Sequence, residues 1–218
     1  MASMTELLLI RHGETAWNAE KRLQGHLDIP LNAEGERQAA ALGAALANEP
    51  VDAIFSSDLQ RAMKTAQAVA DVQGKPIQVD PALRERCFGA FEGLQYHEIE
   101  QRYPESYAAW RSRDRHARYP DGKHIAETLD EFFHRVVGAV ERLVRGKGYR
   151  KIAVVTHGGV LDCLYRAASD RLDFTAPRDF DVLNASINRV RWTPEGMQIL
   201  QWADVAHLDP AVLDDIER

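Results

Sequence analysis

Apolar residues recur along this chain in two alternating rhythms. The run Leu7–Ile10 is too short for a helix and reads as a strand buried on both faces, as in a parallel sheet. Short strands near Ala53–Ser56 and Ile77–Val79, and the β-branched run that begins at Lys151, read the same way. Between them the spacing becomes helical. Asn32 is placed as an N-cap, and Ala39, Leu42, Gly43 and Leu46 follow on one stripe until Asn48-Glu49-Pro50 stops the helix. Leu59, Ala62, Met63 and Ala66 mark a second helix, and Leu129, Phe132, Phe133, Val136, Val137, Val140 and Val144 a long third. Two short helical pieces are separated at Pro104, a further helix covers the stretch VLDCLYRAAS, and SINRVRW and MQILQWA flank the turn TPEG as an edge hairpin. Strands alternating with helices predict an α/β fold with right-handed crossovers.

The 218 residues suffice for one substantial core, and no Pro/Gly/Ser-rich stretch divides them, so residues 1–218 are expected to form a single domain. A net charge of −6 argues against nucleic acid or an anionic membrane as the partner, and any basic site must be local. No apolar run approaches membrane-spanning length, and MASMTELLLI lacks the basic start and long apolar segment of a secretory signal. A cytoplasmic location is the expectation. Cys87 and Cys163 are too few for a disulfide framework or a four-ligand zinc site and read as small buried hydrophobes. No feature specifies a subunit number.

Chemistry enters where the strands break. The first ends in Arg11-His12-Gly13 and the later one in His157-Gly158-Gly159, at the strand ends where open α/β sheets bind ligands. A fixed cation beside a histidine repels a metal, and no carboxylate-rich set lies near either histidine, so no metal or other cofactor is expected there. The same pair suits an anion. Arg61 falls in the first turn of a helix, an end that prefers negative charge; it is either an exposed arginine or a ligand for an anion. Guanidinium groups from Arg11 and Arg61 can grip a phosphoryl group, with the glycines admitting backbone N–H groups. A neutral imidazole can attack phosphorus, and both His12 and His157 qualify. The leaving group needs a proton donor, and LRERCFGAFEG offers Glu85 and Glu92. Glu85, between Arg84 and Arg86, also reads as a surface ion pair. A cysteine phosphatase is excluded, because Gly93 and Ser169 stand where its arginine is required, and no nucleotide-binding glycine loop occurs.

RHGETAWN, LQGHLDIPLNAEG, IFSSDLQRAMKTA, LRERCFGAFEG and VVTHGGVL, in this order over nearly the whole chain, resemble the histidine phosphatase superfamily, in its phosphoglycerate-mutase-like branch. The resemblance implies a single-domain three-layer α/β/α sandwich with a mostly parallel central sheet. It implies that His12 is the nucleophile, that Arg11, Arg61 and His157 bind the phosphoryl group, and that Glu85 rather than Glu92 is the acid and base. Asn18, Gln24, Gly25 and Gly158 match positions lining the phosphate pocket in relatives. Hydrolysis of a small phosphorylated metabolite is the expected activity, since mutases carry a longer insertion after the glutamate and an asparagine where Gly159 stands. The alternatives are a phosphoglycerate mutase, which would need a bisphosphoglycerate primer, and an inactive phospho-ligand-binding member. The basic stretch Arg111–His124 reads either as cations for a second anionic group or as a solvated charge run. Where relatives show Gly-Glu-Ser, this chain has Ala126-Glu127-Thr128 preceded by extra residues including Gly122, which predicts an unusual pocket entrance. His26, His97, His116, His124, His134 and His207 are expected on solvated surface.

Overall fold

The computed structural model describes residues 4–209; residues 1–3 and 210–218 of the expected domain lie outside the described residues. The apolar runs are strands: β1 (Thr5–Arg11), β2 (Ala53–Ser56), β3 (Ile77–Val79) and β4 (Lys151–Thr156), joined by the hairpin β5 (Ile187–Thr193) and β6 (Gly196–Asp204). The helical-period segments are α2 (Ala33–Leu46), α3 (Gln60–Gln73), α6 (Leu129–Val144) and α7 (Gly158–Ala168). Among the described residues there are also three short α-helices: α1 (Ala16–Ala19), α4 (Tyr96–Arg102) and α5 (Pro104–Arg111). Asn32 caps α2 as its sequence requires, accepting from Gly35 N at 2.8 Å.

All six strands form one sheet in the order β3-β2-β4-β1-β5-β6. The four on the β3 side are parallel, and β5 and β6 run antiparallel at the other edge. Alternation along the central strands builds two cores. Leu7, Leu9, Phe55, Ile152 and Val154 pack with α6 and α7, whereas Leu8, Ile10, Ile54, Ala153 and Val155 pack with α2 and α3. This is the three-layer α/β/α sandwich. Each leucine of β1 is fully buried, which contributes about 1.5–3 kcal/mol apiece. Among the described residues no helix is long and apolar enough to cross a membrane.

A third, smaller cluster of Phe91, Ile99, Tyr119 and Ala126 stands apart from both sheet faces and draws in Phe88, Tyr107 and Trp110. Phe91 and Tyr119 stack at 4.6 Å. The stretch Arg111–His124 holds no strand, and no helix continues beyond Arg111. It is nevertheless fastened to the body of the fold. Arg113 pairs with Asp162 of α7, Arg115 with Asp130 and Arg118 with Glu131, so the reading of a purely solvated charge run is corrected. At Gly122 a Cβ atom would stand 2.7 Å from Gly89 O, so this segment presses directly on the loop after Glu85.

Candidate active site

Strand register brings the two histidines together. β1 and β4 are parallel neighbours with Arg11 opposite Thr156, so the next residues, His12 and His157, emerge side by side at the carboxyl edge. Their ring centroids are 5.2 Å apart. β2 lies on the other side of β4, and the chain leaving it brings Ser57 Oγ to 2.8 Å from His157 Nε2. The turn into α3 then delivers Arg61. Three adjacent strand ends thus converge on a cavity of about 380 Å³ lined by Arg11, His12, Arg61, Glu85 and Gly158, among others.

His12 is held on every side of its backbone. Its N–H donates to Thr156 O at 3.0 Å, and its carbonyl accepts from Asn184 Nδ2 at 2.9 Å and Ala185 N at 3.2 Å. In the ring, Nδ1–H donates to Gly13 O at 2.7 Å, which fixes the tautomer and leaves the Nε2 lone pair available. Burial, and after it the Arg61 and Arg11 charges, hold this imidazole well below its ordinary pKa, so it is a neutral base. Gly13 is required here: a Cβ would fall 2.5 Å from Gly35 O. His157 is fully buried, and burial followed by the Arg61 charge depresses it likewise. It lies behind the cavity wall rather than lining it, with Nδ1 unpartnered among the described residues.

Arg61 is 1% exposed, so the reading of an exposed surface arginine is corrected. Its Nη1 donates to Leu27 O and its Nη2 to Gly25 O, both at 2.9 Å, and it forms no ion pair among the described residues. Burial pulls even this guanidinium down to about 10. A buried cation satisfied only by carbonyls is costly until an anion arrives. Arg11, also 1% exposed, donates from Nη1 to Val182 O at 2.6 Å. The N-terminus of α7 at Gly158 adds the positive end of a helix dipole.

The two candidate glutamates separate cleanly. Glu85 lines the cavity, its Oε1 accepting from Arg86 N and its Oε2 from Gly159 N, both at 2.8 Å. It is not the surface ion pair its neighbours suggested, because Arg84 binds Asp58 and Arg86 donates to Glu127 O. The Glu85 carbonyl is gripped by His26 Nε2 at 2.9 Å and Arg135 Nη2 at 3.0 Å. Glu92 is buried away from the cavity and braces backbone: Oε1 accepts from His26 N and Phe88 N, and Oε2 faces His124 Nδ1. Asn18 uses Oδ1 to hold Thr15, whereas buried Gln24 has Oε1 without a partner among the described residues; both line the cavity, as does Gly25.

Sequence reasoning missed several neighbours. Ser57 sits at a strand end of the kind that flagged the histidines. Asn184 had no such signal. The outer wall of Phe88, Tyr96 and Trp110 and the cation Arg86 come from segments read only as loop or short helix, whereas Arg111 belongs to the basic stretch that reads as cations for a second anionic group, and it lines the cavity. Three histidines also leave the expected surface. His26 and His124 are half-buried around Glu92, and His207 sits against Ala185 O; His97, His116 and His134 are exposed.

Comparison with known proteins gives the family. Residues 7–205 match the family described as histidine phosphatase superfamily (branch 1). "Phosphoglycerate mutase-like protein 4" of Arabidopsis thaliana is 39% identical over 207 residues, covering 94% of this chain and 87% of that protein. "Metal-independent phosphoserine phosphatase" of the same plant is 37% identical over 210 residues, covering 95% and 84%. Among solved structures, "Bacillus stearothermophilus YhfR" superposes with a TM-score of 0.83 at 32% identity, covering 94% of this chain and all of that one. The order of motifs, the paired strand-end histidines and these matches together place the chain in the histidine phosphatase superfamily.

Proposed function

We propose that the protein is a metal-independent phosphomonoesterase working through a phosphohistidine on His12. The observation that carries this reading is a neutral imidazole of fixed tautomer set among buried guanidinium groups, with Glu85 on the same cavity wall. His12 Nε2 attacks phosphorus, an N–P bond forms, and the ester P–O bond breaks in line. Protonated Glu85 gives its proton to the departing oxygen. Arg11, Arg61 and the α7 N-terminus hold the equatorial oxygens, where charge develops. His157 supports the His12 ring from behind the cavity wall, at a ring-centroid distance of 5.2 Å. In the second half, Glu85 takes a proton from water as that water attacks phosphorus, and the N–P bond breaks to restore His12 and release phosphate.

Two supports favour hydrolysis. The relative named a metal-independent phosphoserine phosphatase performs a reaction of this class by its name, and so does the structural neighbour titled a putative alpha-ribazole-5'-P phosphatase. The aromatic wall of Phe88, Tyr96 and Trp110 also suits a small metabolite with an apolar part. A second reading, mutase action on phosphoglycerate, is favoured by the Arg86 and Arg111 cations on that wall and by relatives named probable phosphoglycerate mutases. A panel of phosphomonoesters, assayed with and without a bisphosphoglycerate primer, separates the two. Primer-independent phosphate release is expected; primer-dependent isomerisation that outpaces release establishes the mutase instead.

A further inference from the structure

The irregular stretch Arg111–His124 lays His124 against the loop that follows Glu85, and there three chemically distinct ligands meet. The Cys87 sulfur, a Glu92 carboxylate oxygen and a His124 ring nitrogen all lie within 4.8 Å of one another. Neither Glu92 nor His124 lines the cavity of the candidate active site, and Cys87 does not either. Glu92 Oε1 is committed to the backbone N–H groups of His26 and Phe88, at 2.8 and 3.2 Å. Oε2 is therefore the oxygen left for other partners, and His124 Nδ1–H donates to it at 2.9 Å. The Cys87 sulfur stands within 4.8 Å of a carboxylate oxygen of Glu92 and of a His124 ring nitrogen. The Nδ1 proton of His124 thus lies inside the cluster, on an atom that becomes a metal ligand when the proton leaves.

Thiolate, imidazole and carboxylate are the donors zinc takes, and the sulfur disfavours magnesium or calcium. We propose that Cys87, Glu92 and His124 form a three-ligand site for zinc or a similarly soft divalent ion. On binding, S–metal, N–metal and O–metal bonds form while the thiol and Nδ1 protons pass to solvent. Entry is open from the His124 side, which is 32% exposed, against 2% for Glu92. The fourth position is left to water. The ion would clamp the segment around Gly122 onto the loop of residues 87–92, and Glu92 reaches Glu85 through His26. The site sits behind Gly25 of the cavity wall, where a Cβ would clash with Glu92 Oε1, and not in the cavity itself.

The test is titration of the purified full chain with Co²⁺ and with Zn²⁺, alongside the Cys87→Ser and His124→Ala variants. Neither residue belongs to the proposed phosphoryl-transfer machinery, and the half-exposed His124 is the variant least able to disturb folding. Expected for the parent is one cobalt ion per chain with a thiolate-to-metal charge-transfer band. Cys87→Ser should lose the band, and both variants should bind zinc more weakly by over about 100-fold, more than losing a group that merely orients a ligand costs. Cobalt binding without the band overturns the proposal. Zinc held equally by the parent and both variants overturns it too, and places the ion elsewhere.

Discussion

Replacing Glu85 by Gln removes a proton and little else, so it isolates the acid–base role. Each carboxylate oxygen accepts one backbone N–H, from Arg86 and from Gly159, at 2.8 Å. The amide keeps one of these bonds and turns its NH₂ toward the other donor. At this half-exposed position the loss should be about 1 kcal/mol of folding stability, which leaves the fold intact. The chemical penalty depends on the leaving group. An alkyl phosphate expels a basic alkoxide, for which a positioned acid is worth roughly 10²–10⁴-fold, or about 2.7–5.4 kcal/mol of barrier. An aryl phosphate with an acidic phenol needs far less. Single-turnover formation of phosphoenzyme from an alkyl phosphate should therefore slow by that factor, and from nitrophenyl phosphate only slightly. Dephosphorylation should slow for both, because one carboxylate activates water whatever the first substrate was. An equal loss with the two substrates, or none, refutes the assignment.

Other predictions concern the cradle. Arg61→Lys keeps the charge but not the paired donors, so kcat should fall about 10²–10³-fold with KM changed less; unchanged turnover would place Arg61 outside the chemistry. The same variant leaves the Gly25 and Leu27 carbonyls short of donors, and urea unfolding should register a loss of about 1–3 kcal/mol. Folding depresses His12 and His157 below the ordinary imidazole value of about 6.5. The unfolded chain then binds more protons just below that value, so their contribution to stability is present above it and lost as the pH falls. In NMR titrations the rings of His12 and His157 should stay neutral well below the ordinary imidazole value of about 6.5; protonation of either ring at that value contradicts the electrostatics.

The strands and helices were legible because each carries its own period. β2 and β3 stand where the pattern put them, and Asn32 caps as a side chain of its type should. Arg11, His12 and His157 were legible for the related reason that a buried strand must end somewhere, and these end in polar groups. What was not legible depends on contacts distant in sequence. Asn184 reaches His12 across 172 residues, from a turn in which Ala185 takes a positive φ of 53°. No local pattern encodes that pairing. The stretch Arg111–His124 has no periodicity, and its order comes from partners such as Asp162 on α7, 49 positions from Arg113. Arg61 was legible as a candidate anion ligand because a cation is misplaced in a first helical turn, but its burial under the carbonyls of Gly25 and Leu27, distant in sequence, was not. Glu85 and Glu92 were equivalent as residues, and only their surroundings distinguish a cavity carboxylate from a backbone brace.

The central claim is covalent, and it is best tested by trapping the intermediate. Parent enzyme mixed with a labelled phosphomonoester and quenched during turnover should carry acid-labile, alkali-stable phosphate, which peptide mapping assigns to His12. His12→Ala should remain folded, carry no label and release no phosphate. Label on His157, Cys87 or Cys163, or full turnover by His12→Ala, contradicts the account.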